Sequence, residues 1–172
     1  MVSTRCNYVQ FVFTAPLVIF LVFLLHFMPI KGEEINKAEF NFVAAGDWGC
    51  DHEAIHTFSM MKSMEPELYL GLGDYSYQNS IDCWLDIVKS AGNAFKISLG
   101  NHDTEGNLLR AYMDEFKLDK QYYSFNYRNA HFVALSTELN KDEVKQQLQF
   151  VRNDLSRTKA NQNIDWIIVF FS

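Results

Sequence analysis

Leu68-Tyr69-Leu70-Gly71-Leu72-Gly73-Asp74-Tyr75-Ser76-Tyr77 decides how this chain is read. Its first five residues form a short, continuously apolar run, as a buried strand requires, and the run stops at Gly-Asp, a turn signal. The same plan stands on either side. Phe40-Asn41-Phe42-Val43-Ala44-Ala45 alternates, turns apolar and ends in Gly46-Asp47-Trp48-Gly49, and Phe95-Lys96-Ile97-Ser98-Leu99 ends in Gly100-Asn101-His102-Asp103. Both flanking runs are expected to be strands, the first of them buried. Between them the periodicity changes to that of a helix. Asp51 can cap a helix to about Met64, with Ile55, Phe58, Met61 and Met64 on one face and Pro66 as its stop, and Ile81 to about Ser90 is a second.

Downstream, about Leu108 to Phe116 reads as a third helix, and Tyr122–Tyr127 and His131–Ser136 are alternating runs joined by Arg128-Asn129-Ala130, a hairpin. Lys141 to about Lys159 carries Val144, Leu148, Val151 and Leu155 along one stripe of a long helix, and Trp166–Phe171 reads as a final buried strand. The order β-α-β-α-β-α-β-β-α-β implies an α/β domain with a layered mixed sheet.

The first 32 residues differ in kind. No Asp, Glu, Lys or Arg lies between Arg5 and Lys31, and residues 7–30 centre on an unbroken apolar run from Leu17 to Leu25. This is the composition of a signal peptide or a membrane anchor, and it lacks the small-x-small site that would choose between them. Either way residues 38–172 are expected to face an extracytoplasmic compartment, secreted or membrane-anchored. Setting aside residues 1–32, which hold two cations and no acid, leaves 13 positive and 21 negative charges, a net of −8. Such an acidic body lacks the basic footprint of a nucleic-acid binder, so no nucleic-acid partner is expected. If it handles phosphate, it must neutralise it locally.

In open α/β sheets ligands gather beyond the carboxyl ends of the strands. Asp47, Asp74 and Asn101 stand there at intervals of 27 residues. Each alone is an ordinary turn residue. Together, carboxylates brought to adjacent strand ends repel each other unless a cation lies between them, and oxygen donors select hard cations. The phenol of Tyr77 suits a ferric ion and the amide of Asn101 a second, divalent one.

These blocks, GDxG at Gly46, GDxxY at Gly73 and GNHD at Gly100, resemble those of the calcineurin-like metallophosphoesterases, and within them the purple acid phosphatases. Gly49 and Tyr77 both match the purple branch. The resemblance runs from about residue 39 to Ser172 and implies a layered α/β/β/α metallophosphoesterase domain that is incomplete at its C-terminus. It also implies metal-dependent hydrolysis of a phosphorylated small molecule by two metal ions, Fe(III) with a divalent Fe, Zn or Mn. Asp47 and Tyr77 would hold the first ion, Asp74 would bridge both, Asn101 would hold the second, and His102, with Asp103 steadying its imidazole, would serve the phosphate. Two cations about 3.5 Å apart can activate a water and neutralise charge in an in-line displacement.

Two further blocks of that pattern, which should supply three histidines, are missing. Placing Val169 on the fourth block leaves Ser172 where His is expected; either Ser172 replaces it or the His lies one residue further on. The chain as given is therefore expected to be impaired as a hydrolase, and a non-catalytic domain that binds phosphate or a partner is a second reading. His52-Glu53-Ala54-Ile55-His56 fits HExxH, the pattern of zinc peptidases, and makes a third, although no further ligand is evident beyond Glu65 or Glu67. Cys50 and Cys83 follow two of the site-forming strands and are expected to pair in an oxidising compartment. His131, Tyr122, Tyr123 and Phe125 read as structural. Oligomeric state is not legible.

Overall fold

The computed structural model describes residues 39–172, so the leader reading lies outside the described residues. Within residues 39–172, six strands form two sheets. β1 (Phe42–Ala45), β2 (Leu68–Leu72) and β3 (Phe95–Ser98) are parallel, in the order β1-β2-β3. β4 (Tyr123–Tyr127) pairs antiparallel with β5 (Ala130–Ala134), which pairs in parallel with β6 (Trp166–Phe170). Four α-helices join them: α1 (His52–Ser63), α2 (Asp82–Val88), α3 (Leu108–Glu115) and α4 (Lys141–Lys159).

The period-two geometry of a strand assigns the layers. Tyr69, Phe95, Ile97 and Leu99 point to one face of the first sheet. There they meet Phe58 and Met61 of α1, Trp84 and Val88 of α2, and Leu108 and Tyr112 of α3. Leu68 and Leu70 point the other way, onto Ala130, Phe132, Ala134 and Phe170 of the second sheet. The α4 helix covers the remaining face through bonds such as Gln147 to Ser136. The result is the layered α/β/β/α arrangement.

Local signals set most boundaries. Asp51 caps α1 by accepting the N–H groups of Glu53 and Ala54, and Asn140 with Glu143 forms a full capping box on α4. The α2 helix ends at Val88, earlier than expected, and a 3-10 turn with an irregular Gly92 carries the chain to β3.

Four packing expectations need correction. On α1 the buried residues are Ala54, Phe58 and Met61, while Ile55 and Met64 are exposed. On α4 the buried residues are Asp154 and Thr158, and Val144 and Leu148 lie in solvent. What faces α4 is mixed: Phe150 meets the Tyr122 ring at 5.3 Å, while His131 bonds Asp154 at 2.7 Å and Asn126 at 2.6 Å, and Ser124 donates to Asp154 at 3.0 Å. A helix that satisfies a buried imidazole turns its acid inward, because an unpaired buried polar group costs more than an exposed Leu. The β6 strand is not buried either. Trp166, Ile167 and Val169 are 65%, 47% and 46% exposed, and only Phe170 is enclosed. The β1 strand, at the edge above it, is half-exposed.

Candidate metal centre

Past the end of β1 the chain continues alongside the end of β2. Asp47 N–H donates to the Gly73 carbonyl at 3.1 Å, Trp48 N–H to that of Asp74 at 2.8 Å and Gly49 N–H to that of Tyr75 at 2.8 Å. This extension of the ladder brings Asp47 and Asp74 to the same edge. Asp47, Asp74 and Tyr77 all take left-handed backbone angles, with φ of 54°, 54° and 52°. Such angles are unfavourable for residues with a Cβ and persist where surrounding bonds enforce them, often at functional sites. Tyr77 Oη donates to Asp47 Oδ1 at 3.1 Å. Loss of hydration, then the acceptor Asp47, push its phenol up to about 12.

The end of β3 is tied to the same place by Asp103. This carboxylate, 1% exposed, accepts the N–H groups of Asp74 at 2.7 Å, Tyr75 at 2.9 Å and Gly100 at 2.9 Å. Burial pushes its carboxyl up to about 6 against the opposing pull of those three donors. Tyr75, fully enclosed, donates from its phenol to the Ser98 carbonyl and accepts the Gly73 N–H at 3.2 Å. Gly73, at φ 83°, makes the turn between them.

His102 places its backbone N–H 3.0 Å from Asp74 Oδ1. Its ring stands 4.6 Å from that of Tyr77. The expectation that Asp103 steadies this ring is corrected, since Asp103 serves the backbone instead. The carboxylate facing His102 Nδ1 is Glu105, at 3.4 Å. Asn101 precedes the short 3-10 turn His102–Thr104, with its carbonyl taking the Thr104 hydroxyl at 2.9 Å and the residue itself exposed.

One more oxygen enters this cleft. A Cβ placed on Gly73 or Gly100 would lie 2.5 or 2.6 Å from Ser172 Oγ, and one on Gly100 would also strike Asp74 Oδ1. Ser172 therefore fills the space between the ends of β2 and β3. Both glycines leave room for that approach.

The structure thus brings Asp47, Asp74, Tyr77, His102 and Ser172 to one edge of the first sheet, with Asn101 on the turn beside His102. Two carboxylates, a phenol, a carboxamide and a hydroxyl are oxygen donors that fit a hard cation. Among the described residues no group of three or more His, Cys, Asp or Glu forms a metal cage, so a cation here depends on the Tyr, Asn and Ser oxygens as well. The HExxH string is the exposed first turn of α1, where the His52 and His56 rings stack 6.5 Å apart. Cys50 and Cys83 are joined, which fastens the loop after β1 to the start of α2. Sequence reading missed Glu105 and the polar residues around it; the His102/Glu105 spacing in a Gly-containing turn was its only trace.

Comparison with curated proteins finds no match. The family pattern described as calcineurin-like phosphoesterase matches residues 40–170, a span that begins just before β1 and closes with β6. Members of this family are phosphoesterase-type, metal-dependent hydrolases and typically bind two metal ions. The match covers most of the chain and every strand that carries the site, so this chain belongs to the calcineurin-like phosphoesterase family.

Proposed function

We propose that this chain carries the hydrolytic centre of a phosphomonoesterase of acid-phosphatase type, in the purple branch of its family. The observation that supports this most is Asp74, which follows the middle strand and lies beside Asp47 on one side and the Asn101–His102 turn on the other. In this reading Asp47 and Tyr77 would hold an Fe(III) ion, Asp74 would serve both cations, and Asn101 would hold a divalent Fe, Zn or Mn. The cations supply charge neutralisation at phosphorus and an activated water. The protein's own groups do the rest. Asp103 fixes the two strand ends through three N–H bonds, and His102, with Nδ1 facing Glu105, has Nε2 left to hand a proton to the leaving oxygen. The bridge between Cys50 and Cys83, together with the apolar leader sequence, supports work outside the cytoplasm.

The test is release of p-nitrophenol from its phosphate ester by protein reconstituted with iron and zinc or manganese. Asp74→Asn is expected to lower the rate by about 100-fold or more, the order found when one preorganised electrostatic group is lost. Tyr77→Phe is expected to abolish the visible ferric-phenolate band. An unaltered rate in Asp74→Asn overturns the proposal. The Ser172 hydroxyl, packed between Gly73 and Gly100 beside Asp74, favours a second reading, a domain that binds phosphate without releasing product. Cation-dependent phosphate binding with no turnover would select it.

A further inference from the structure

Tyr77 divides the surface of the site into two hollows. One, of about 500 Å³, lies over Asp47 and Asp51. The other, of about 400 Å³, opens on the far side of the Tyr77 and His102 rings and is lined by Tyr77, Gln78, Asn79, His102, Glu105 and Asn107. Neither is lined by Lys or Arg. An ester whose phosphorus sits at the strand ends, with His102 at its leaving oxygen, must extend its alcohol into the second hollow.

The chemistry of that hollow is specific in one respect. Three carboxamides and a phenol offer donors and acceptors together, which suits hydroxyl groups. Glu105, whose side chain is 68% exposed, is the one carboxylate in the lining, with its Oε1 3.4 Å from His102 Nδ1. The first turn of α3 also borders the hollow, but the Leu108 N–H is already donated to the Glu105 carbonyl at 3.0 Å. A second anion on the alcohol would face Glu105 with no Lys or Arg to meet it, in a body that is already acidic.

We propose that this hollow is the leaving-group pocket and that it selects phosphomonoesters of neutral, hydroxyl-rich alcohols of the glycerol or sugar class against esters whose alcohol carries another anion, with Glu105 as the specificity-determining residue. The proposal rests on the phosphomonoesterase reading above. It makes the phosphate the only anionic part of the substrate, bound at the cation end, and leaves the rest of the recognition to hydrogen bonds.

The test uses two esters that differ at one carbon, glycerol 3-phosphate with a hydroxymethyl group and 3-phosphoglycerate with a carboxylate. The metal-loaded protein is expected to show a kcat/KM at least about tenfold higher for glycerol 3-phosphate. Glu105→Gln narrows that ratio and Glu105→Lys reverses it. As a binding readout, the side-chain amide NMR signals of Gln78, Asn79 and Asn107 shift on adding glycerol 3-phosphate and stay in place with inorganic phosphate. Turnover of both esters at equal rates, or faster turnover of 3-phosphoglycerate, overturns the pocket assignment while leaving the phosphatase reading intact. No phosphate released from either ester or from p-nitrophenyl phosphate overturns that reading, and the inference with it.

Discussion

The two flanks of the sandwich are built differently. Where β3 lies over β4, the phenol of Tyr123 accepts the Ile97 N–H at 3.1 Å and donates to the Ile97 carbonyl at 2.7 Å, so a side chain closes the free edge of the first sheet. Lys96 crosses the same seam above the Phe125 ring. On the β1 side the sheets meet through rings, Phe42 standing edge-on to Phe132 of β5 at 5.6 Å, and among the described residues no side chain of the second sheet bonds the β1 backbone. Phe42, Trp166, Ile167, Val169 and Phe171 present apolar surface to solvent. An edge strand with satisfied polar groups resists slipping and unwanted pairing, whereas an apolar open edge invites it. The site spans both regimes, since Asn101 follows β3 on the closed flank and Asp47 follows β1 on the open one. Its geometry therefore depends on local ties that do not run through the flank packing, namely the Asp103 bonds and the Cys50–Cys83 bridge.

The largest expected effect comes from cutting the tie on the closed side. Asp103→Ala leaves three backbone N–H groups without their acceptor, and at ~1–3 kcal/mol for each orphaned group the loss of stability is about 3–9 kcal/mol. Urea unfolding measures it, and a loss below 1 kcal/mol would show that water takes over those donors. Next is the tie on the open side. The bridged residues are 33 apart, so its reduction is expected to lower stability by about 4 kcal/mol on the chain-entropy estimate. Thermal unfolding with and without a reductant reads this, and equal midpoints would mean the Asp47 loop holds its place without the bridge.

The flanks themselves can be compared by a matched pair. Tyr123→Phe strips the seal from Ile97 and is expected to cost about 1–3 kcal/mol, while Trp166→Ser, on the exposed strand, stays within about 0.5 kcal/mol. Equal costs would erase the distinction. The smallest effect is at Glu67, which joins the start of β2 to the hairpin turn by accepting from Tyr127 at 2.7 Å and from Arg128 Nε at 3.0 Å. The Tyr127 and Arg128 bonds hold its carboxyl below the ordinary 4.5. A carboxyl lowered in the fold stabilises above its unfolded value, and that contribution fades as the pH falls below about 4.5. Glu67→Gln should therefore unfold at the same temperature as wild type in strong acid and at a slightly lower one at neutral pH. The reverse ordering contradicts the assignment.

Much of this was legible because a parallel strand announces its own end. An apolar run that breaks at Gly-Asp or Gly-Asn fixes both the strand and the position of the oxygen behind it, and all three runs met at one edge. The α4 helix was legible in its limits but not in its orientation. Val144 and Leu148 form a stripe in sequence, yet the helix turns Asp154 inward to a buried His131, a partner 23 residues away that periodicity does not reveal. Asp103 was read as a catalytic assistant from its place beside His102. Consecutive residues on a tight turn point in different directions, and its side chain went to the backbone of the neighbouring loop. The β6 strand is as apolar as a buried one, and composition alone does not show whether anything covers it.

The central claim is that oxygens from three parallel strand ends share one cation-binding edge. Anomalous difference density from crystals soaked in manganese tests it directly. The account predicts peaks among Asp47, Asp74 and Asn101, lost in Asp74→Asn; density at His52 and His56 instead, or none at the strand ends, would contradict it.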